Sequence, residues 1–185
     1  MPGVKRLFIE QLTRNTGELI APGIPATALF SVIDVELAEK ACNVPGPINP
    51  RIISCSTGYA SHHDMSNSGS GAGWADGPIC QMDPANSHET LYEGAMDLTE
   101  SADVLILKPG TPFLDVLYRV KQALGVQTFV YQVSGEYALH EAAFANDCLD
   151  EKTVGPESLR CFKRAGADGI VSWFARRTIQ ALRML

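Results

Sequence analysis

From Asp83 to Leu185 the chain alternates short β-forming runs with stretches whose apolar residues recur at helical spacing. Val104-Leu105-Ile106-Leu107 is an unbroken apolar run of strand length. Thr128 to Val133 is rich in β formers, and Ile170 to Phe174 reads as the last strand. Between the first two runs, Leu114, Leu117, Val120 and Leu124 make a helical stripe that Gly125 closes as the residue after the helix. A helix is predicted from about Ser87 to Glu100, with Leu91, Ala95 and Leu98 on one face, and another from Glu136 to about Asn146. Pro156 suits the first turn of a further helix and Gly166 its end, and Ala175 to Leu185 reads as a closing amphipathic helix. Strands separated by helices are joined by crossovers and pair in parallel. The expected fold class is therefore α/β.

The N-terminal part is less regular. Ile9, Leu12, Thr16 and Leu19 follow helical spacing, and Pro22-Gly23 ends that run. Gly17 weakens this helix by roughly 1 kcal/mol relative to alanine. Ala26 to Phe30 reads as a short buried strand and Ile52 to Cys55 as another, giving about five strands, near residues 27, 53, 105, 130 and 172. Residues 62–78 include Ser66-Asn67-Ser68-Gly69-Ser70-Gly71-Ala72-Gly73 and read as a flexible loop within a single domain spanning 1–185.

Charge and cysteine usage narrow the function. A net charge of -6 with no basic run gives no footprint for nucleic acid. No stretch approaches 18 consecutive apolar residues, so a membrane span is not expected, and the first residues lack an apolar signal core. Five cysteines, at 42, 55, 80, 148 and 161, are scattered without CxxC spacing. That argues for reduced thiols and against a disulfide framework or a sequence-local zinc site. A cytoplasmic setting is the corresponding expectation.

In parallel α/β folds, chemistry gathers at the C-terminal ends of the strands. Lys108 directly follows the apolar run Val104–Leu107; Tyr131 and Gln132 lie in the next strand, with Ser134 just after it; Ser172 and Trp173 lie in the last. A lysine at that place has two readings. It can lay its stem along apolar surface and put its charge in water. It can instead be an amine that forms a Schiff base with a carbonyl substrate. An ordinary lysine amine is neutral only about 0.04% of the time at pH 7. Schiff-base chemistry therefore needs burial or a second cation to favour the neutral form.

Four segments together carry a resemblance. They are Gln81-Met82-Asp83-Pro84-Ala85-Asn86-Ser87, Leu107-Lys108-Pro109-Gly110, Tyr131-Gln132-Val133-Ser134-Gly135-Glu136-Tyr137-Ala138 and Phe162-Lys163-Arg164-Ala165-Gly166-Ala167-Asp168-Gly169. In this order and spacing they resemble the porphobilinogen synthase (5-aminolevulinate dehydratase) family. Met1 to Val4, Gly23 to Ala26 and Ala28 to Phe30 resemble an earlier segment of it. The likeness covers roughly 1–40 and 79–185, and more loosely 51–61. It implies a TIM barrel that condenses two 5-aminolevulinates into porphobilinogen, a step of tetrapyrrole (heme) biosynthesis. It further implies that Lys108 holds one substrate as a Schiff base, that Ser134 binds that substrate's carboxylate, and that Tyr131 and Trp173 lie at the substrate site. Glu93 matches a glutamate that helps bind magnesium in part of the family; a solvated helix residue is the competing reading.

The departures from the family pattern bear on mechanism. By strand order the second, fifth, sixth, seventh and eighth barrel strands are represented, and the first, third and fourth are not. The region that carries zinc-binding cysteines in zinc-dependent members is among the missing parts, as is the arm that family members use to assemble. Where the family has a second active-site lysine, this chain has Gly58, in Thr57-Gly58-Tyr59-Ala60-Ser61. The following His62-His63-Asp64 reads as a solvated loop or as metal ligands. Trp173 stands where the family has a tyrosine. Five strands cannot close an eight-stranded barrel, and open edges invite pairing with another chain. The expectation is a partial TIM barrel: an open parallel sheet with flanking helices that self-associates or joins a full-length relative. Its function is that of a porphobilinogen synthase-type lyase. The alternatives are a catalytically impaired binder of 5-aminolevulinate or a related keto acid, and a truncated, non-functional paralogue.

Overall fold

The computed structural model describes residues 7–25, 53–57 and 85–182. Four parallel strands form its sheet: β1 (Ile53–Thr57), β2 (Val104–Lys108), β3 (Thr128–Gln132) and β4 (Gly169–Ser172). They lie in sequential order, each beside the strand that follows it in the chain. The helices are α1 (Ile9–Ile20), α2 (Glu89–Thr99), α3 (Leu114–Leu124), α4 (Ser134–Ala145), α5 (Glu151–Arg164) and α6 (Ala175–Leu182). The α/β expectation holds, with a fully parallel sheet. The expected strand near residue 27, the loop at 62–78, Gly58 and His62-His63-Asp64 lie outside the described residues.

Side chains alternate across each strand and divide the sheet into two faces. Leu105, Leu107, Val130 and Ile170 face the helices, where they meet Phe113, Val116, Leu117 and Val120 together with Phe162 of α5. Leu91 and Leu98 of α2 pack against the same cluster. Burying each of these large side chains contributes about 1.5–3 kcal/mol. On the opposite face Ile106, Tyr131 and Val133 form a second cluster, flanked by Phe129 and Val171. Gly94 marks the closest approach of α2, since a Cβ there would stand 3.1 Å from both Leu105 Cδ1 and Leu124 Cδ1.

The N-terminal end of the sheet is tied by Asp168. Its Oδ2 accepts from the Thr128 amide at 2.8 Å and from Lys121 Nζ at 2.6 Å, while the Asp168 amide donates to the Thr128 carbonyl at 2.9 Å. These bonds join the start of β3, the end of α3 and the turn into β4. The Lys121 ammonium, then the Thr128 amide, holds the Asp168 carboxyl below its ordinary range. Arg177 of α6 reaches Glu141 of α4 at 2.6 Å and Glu151 of α5 at 2.8 Å, gathering three helices on the surface.

Three predicted boundaries shift. α5 begins at Glu151 rather than at Pro156, because the Asp150 carboxylate accepts from the Thr153 amide and caps the helix five residues earlier than expected. Pro156 consequently sits inside the helix, and Gly155 before it has no Cβ to clash with the proline ring. α4 begins at Ser134 rather than Glu136, since Glu136 reaches back to the Val133 amide. β4 stops at Ser172, so Trp173 lies in a turn: Ser172 Oγ accepts from the Phe174 amide at 3.0 Å and bends the chain into α6.

Candidate active site

Lys108 is the last residue of β2, half-buried, and by the period of the strand lies on the face of Ile106 and Tyr131. Its register partner on β1 is Thr57, the residue before Gly58. Tyr131 is buried one residue before the end of β3. Ser134 is buried and is the first helical residue of α4, with Val133 as the cap. Trp173 is 37% exposed in the turn after β4. Lys108, Tyr131, Ser134 and Trp173 thus come from the C-terminal ends of three adjacent strands.

Glu136 binds two of these segments together. It is only 3% exposed. Its Oε2 accepts from the Gly110 amide at 2.9 Å and the Val133 amide at 2.8 Å, and its Oε1 accepts from the Thr111 amide at 2.6 Å. Two of these donors belong to the turn that follows Lys108; the third immediately precedes Ser134. Hydrogen bonds to a carboxylate are about twice as strong as neutral ones, so this side chain fixes one strand end relative to the next. In the sequence Glu136 lies within the segment Tyr131 to Ala138, where no role is expected of it. The available signal was a glutamate at the third helical position, the reach-back half of a capping box.

Gln132 and Ser172, singled out by their strand-end positions, serve the opposite face. Ser172 Oγ donates to Gln132 Oε1 at 2.6 Å, and Gln132 Nε2 donates to Ser158 Oγ of α5 at 3.5 Å. This partly buried chain of polar atoms fastens β3 to β4 and to α5, away from the face of Lys108.

Glu93 is exposed on α2. Among the described residues no group of three or more His, Cys, Asp or Glu side chains converges on one point. Magnesium commonly keeps several waters and takes one or two carboxylates; Glu93 offers one exposed carboxylate. Cys148 and Cys161 are free thiols. No helix among the described residues is long and apolar enough to cross a membrane.

A half-buried lysine ends a parallel strand, with polar residues at the neighbouring strand ends, and strand C-termini are where parallel α/β proteins place their chemistry. The family model for delta-aminolevulinic acid dehydratase matches residues 46–181. The chain belongs to the delta-aminolevulinic acid dehydratase family. It is 52% identical over 103 residues to the delta-aminolevulinic acid dehydratase of Bradyrhizobium diazoefficiens, which is 56% of this chain and 29% of that one. It is 44% identical over 109 residues to the chloroplastic enzyme of Oryza sativa subsp. japonica, covering 59% of this chain and 26% of that one. A crystal structure of delta-aminolevulinic acid dehydratase (porphobilinogen synthase) from Toxoplasma gondii ME49, in complex with the reaction product porphobilinogen, is similar with a TM-score of 0.57 at 39% identity. That similarity covers 59% of this chain and 31% of the other. The aligned region thus spans less than a third of the length of each of these relatives.

Proposed function

We propose that this chain captures 5-aminolevulinate, or a keto acid like it, as a Schiff base on Lys108. The observation that carries this is the placement of Lys108 at the C-terminal end of a buried parallel strand, with Ser134 starting the helix after the adjacent strand. In the proposed reaction the neutral amine of Lys108 attacks the keto carbon. The carbinolamine then loses water, leaving a C=N bond between Nζ and the former carbonyl carbon. Ser134 donates a hydrogen bond to the substrate carboxylate, and Tyr131 and Trp173 border the bound chain. A magnesium ion would take Glu93 as one of its carboxylate ligands, in an allosteric rather than a catalytic role.

The full porphobilinogen synthase reaction, a condensation of two 5-aminolevulinates in tetrapyrrole synthesis, is the wider form of this proposal. The narrower form, capture without condensation, is favoured by Gly58, which supplies no amine where the family has its second lysine. The fold proposed for the whole is an arc of a (β/α) barrel: the strands run in sequential order, and α2, α3 and α5 pack on one face. Among the described residues β4 pairs on one edge alone. We extend the proposal to pairing of such an edge with a second copy or a full-length relative, in a cytoplasmic setting.

Incubation with 5-aminolevulinate and borohydride, followed by peptide mass spectrometry, tests the capture step. A reduced adduct on Lys108, lost in Lys108→Met, is the expected result. No adduct in the folded chain refutes it. A parallel pyrrole assay separates the two forms: pyrrole formation supports condensation, and an adduct without pyrrole supports capture alone.

A further inference from the structure

We propose that Glu136 is the positioning residue of the amine site, holding the turn after Lys108 in register with the first turn of α4 so that amine and hydroxyl address one keto acid. This inference rests on the Schiff-base reading of Lys108 and deepens it. Three backbone amides converge on the one buried carboxylate: Gly110 and Thr111 from the β2 side, Val133 from the β3 side. The donors on the two sides are separated by more than twenty residues of sequence and belong to adjacent strand ends.

Gly110 lies too close to its neighbours to move inward, since a Cβ there would stand 2.8 Å from Phe162 Cε1 and 2.9 Å from Val130 Cγ2. The core therefore limits the turn from below while Glu136 holds it from the side. Lys108 lies two residues before Gly110, and Ser134 one residue after Val133. A shift of either segment changes the separation of the amine from the hydroxyl. Small displacements of reacting groups have large effects on rate and binding. Glu136 touches backbone amides rather than substrate, so it acts through Lys108 and Ser134.

The role makes a selective prediction. A loss of register between Lys108 and Ser134 harms a ligand that needs both, and spares one that uses the amine alone. The full chain, its Glu136→Gln variant and its Ser134→Ala variant are each titrated with 5-aminolevulinate and with its methyl ester. Adducts are trapped by cyanoborohydride and measured on the Lys108 peptide. Folding is followed by circular dichroism, and hydrogen exchange is read at residues 109–113 and 131–137. Glu136→Gln is expected to raise the half-saturating concentration of 5-aminolevulinate about 10-fold, the scale of a lost hydrogen bond to a charged group. For the ester the rise is expected to stay below about 2-fold. Exchange at Gly110 and Thr111 is expected to quicken. Adding Glu136→Gln to Ser134→Ala is expected to have little further effect, because coupled residues are not additive.

An equal loss for both ligands marks a merely structural residue and overturns the proposal. Adduct formation by the wild type with no selective change in Glu136→Gln leaves the Schiff-base reading standing and removes the positioning role. Faster exchange in the variant with no wild-type adduct removes the Schiff-base reading itself, and with it the site to be positioned. Glu136→Asp keeps the charge and shortens its reach by one methylene. It carries the same ligand comparison, with the same overturning results, where the glutamine variant does not fold.

Discussion

The Gly110 amide and the Glu136 carboxylate meet at 2.9 Å across the C-terminal ends of β2 and β3. The contact joins a turn that follows a strand to a helix that follows the next one. It is short in space and long in sequence, so it forms only once the two strands have paired. The turn it holds directly follows the candidate amine, and the helix that carries Glu136 begins with the candidate hydroxyl.

Gly110→Ala should act on both stability and the site. The added methyl would overlap Phe162 and Val130, which are fully buried and cannot withdraw freely. Overpacking of this kind costs about 1–3 kcal/mol. Urea denaturation should show a lower midpoint, and Lys108 trapping should fall with it. Phe162→Leu in the same chain frees space at the ring edge and should restore part of both losses.

Gln132→Leu removes the acceptor of the Ser172 hydroxyl and the donor to Ser158. Ser172 is half-buried, so the lost hydrogen bond costs about 1 kcal/mol. The single variant should melt at lower temperature than the wild type. The Gln132→Leu, Ser172→Ala pair should recover part of that loss, and a pair that is strictly additive would refute the coupling.

Asp168→Asn should destabilise in a pH-dependent way. The Lys121 ammonium and the Thr128 amide depress the folded-state pKa of the Asp168 carboxyl. Its contribution is thus complete above the ordinary carboxylate pKa of about 3.9 and is lost as pH falls through the lower folded value. The side chain is 33% exposed, so solvent screening holds the expected difference near pH 7 to about 1 kcal/mol. Denaturation of wild type and variant from pH 7 to pH 3 should show the two curves converging at the acid end.

Arg177→Met breaks the contacts to Glu141 and Glu151. Both are solvent-exposed pairs, and the expected loss is about 0.5 kcal/mol at low salt. Screening at about 1 M salt should shrink the difference in melting temperature. A difference that is unchanged by salt would assign the effect to the packing of Arg177 over the Tyr137 ring, 6.0 Å from its centroid.

Much of the fold was legible in the sequence because local rules coincide with the tertiary outcome. Leu117 and Val120 occupy the core face that their helical stripe assigns them, and Val104 to Leu107 is buried throughout, as an unbroken apolar run predicts. Gly125, at φ 66°, and Gly166, at φ 106°, end helices in the left-handed conformation that glycine tolerates. The misplaced boundaries share one cause. Asp150, Glu136 and Ser172 each settle an element's end through a side chain bonding to a backbone amide. Such bonds depend on which of several nearby polar residues reaches the amide first, and composition alone does not rank them.

The sequence by itself determined that this chain is a parallel α/β protein of the delta-aminolevulinic acid dehydratase family with a lysine at the end of its most apolar strand. Periodicity and motif order carry that information locally. Only the tertiary structure decided that Lys108 and Tyr131 share one face while Gln132 and Ser172 serve the other. It alone joined Gly110, Thr111 and Val133 to Glu136. The physical reason is that the side of a strand and the partner of a buried carboxylate are fixed by register and packing between elements, which no single segment contains.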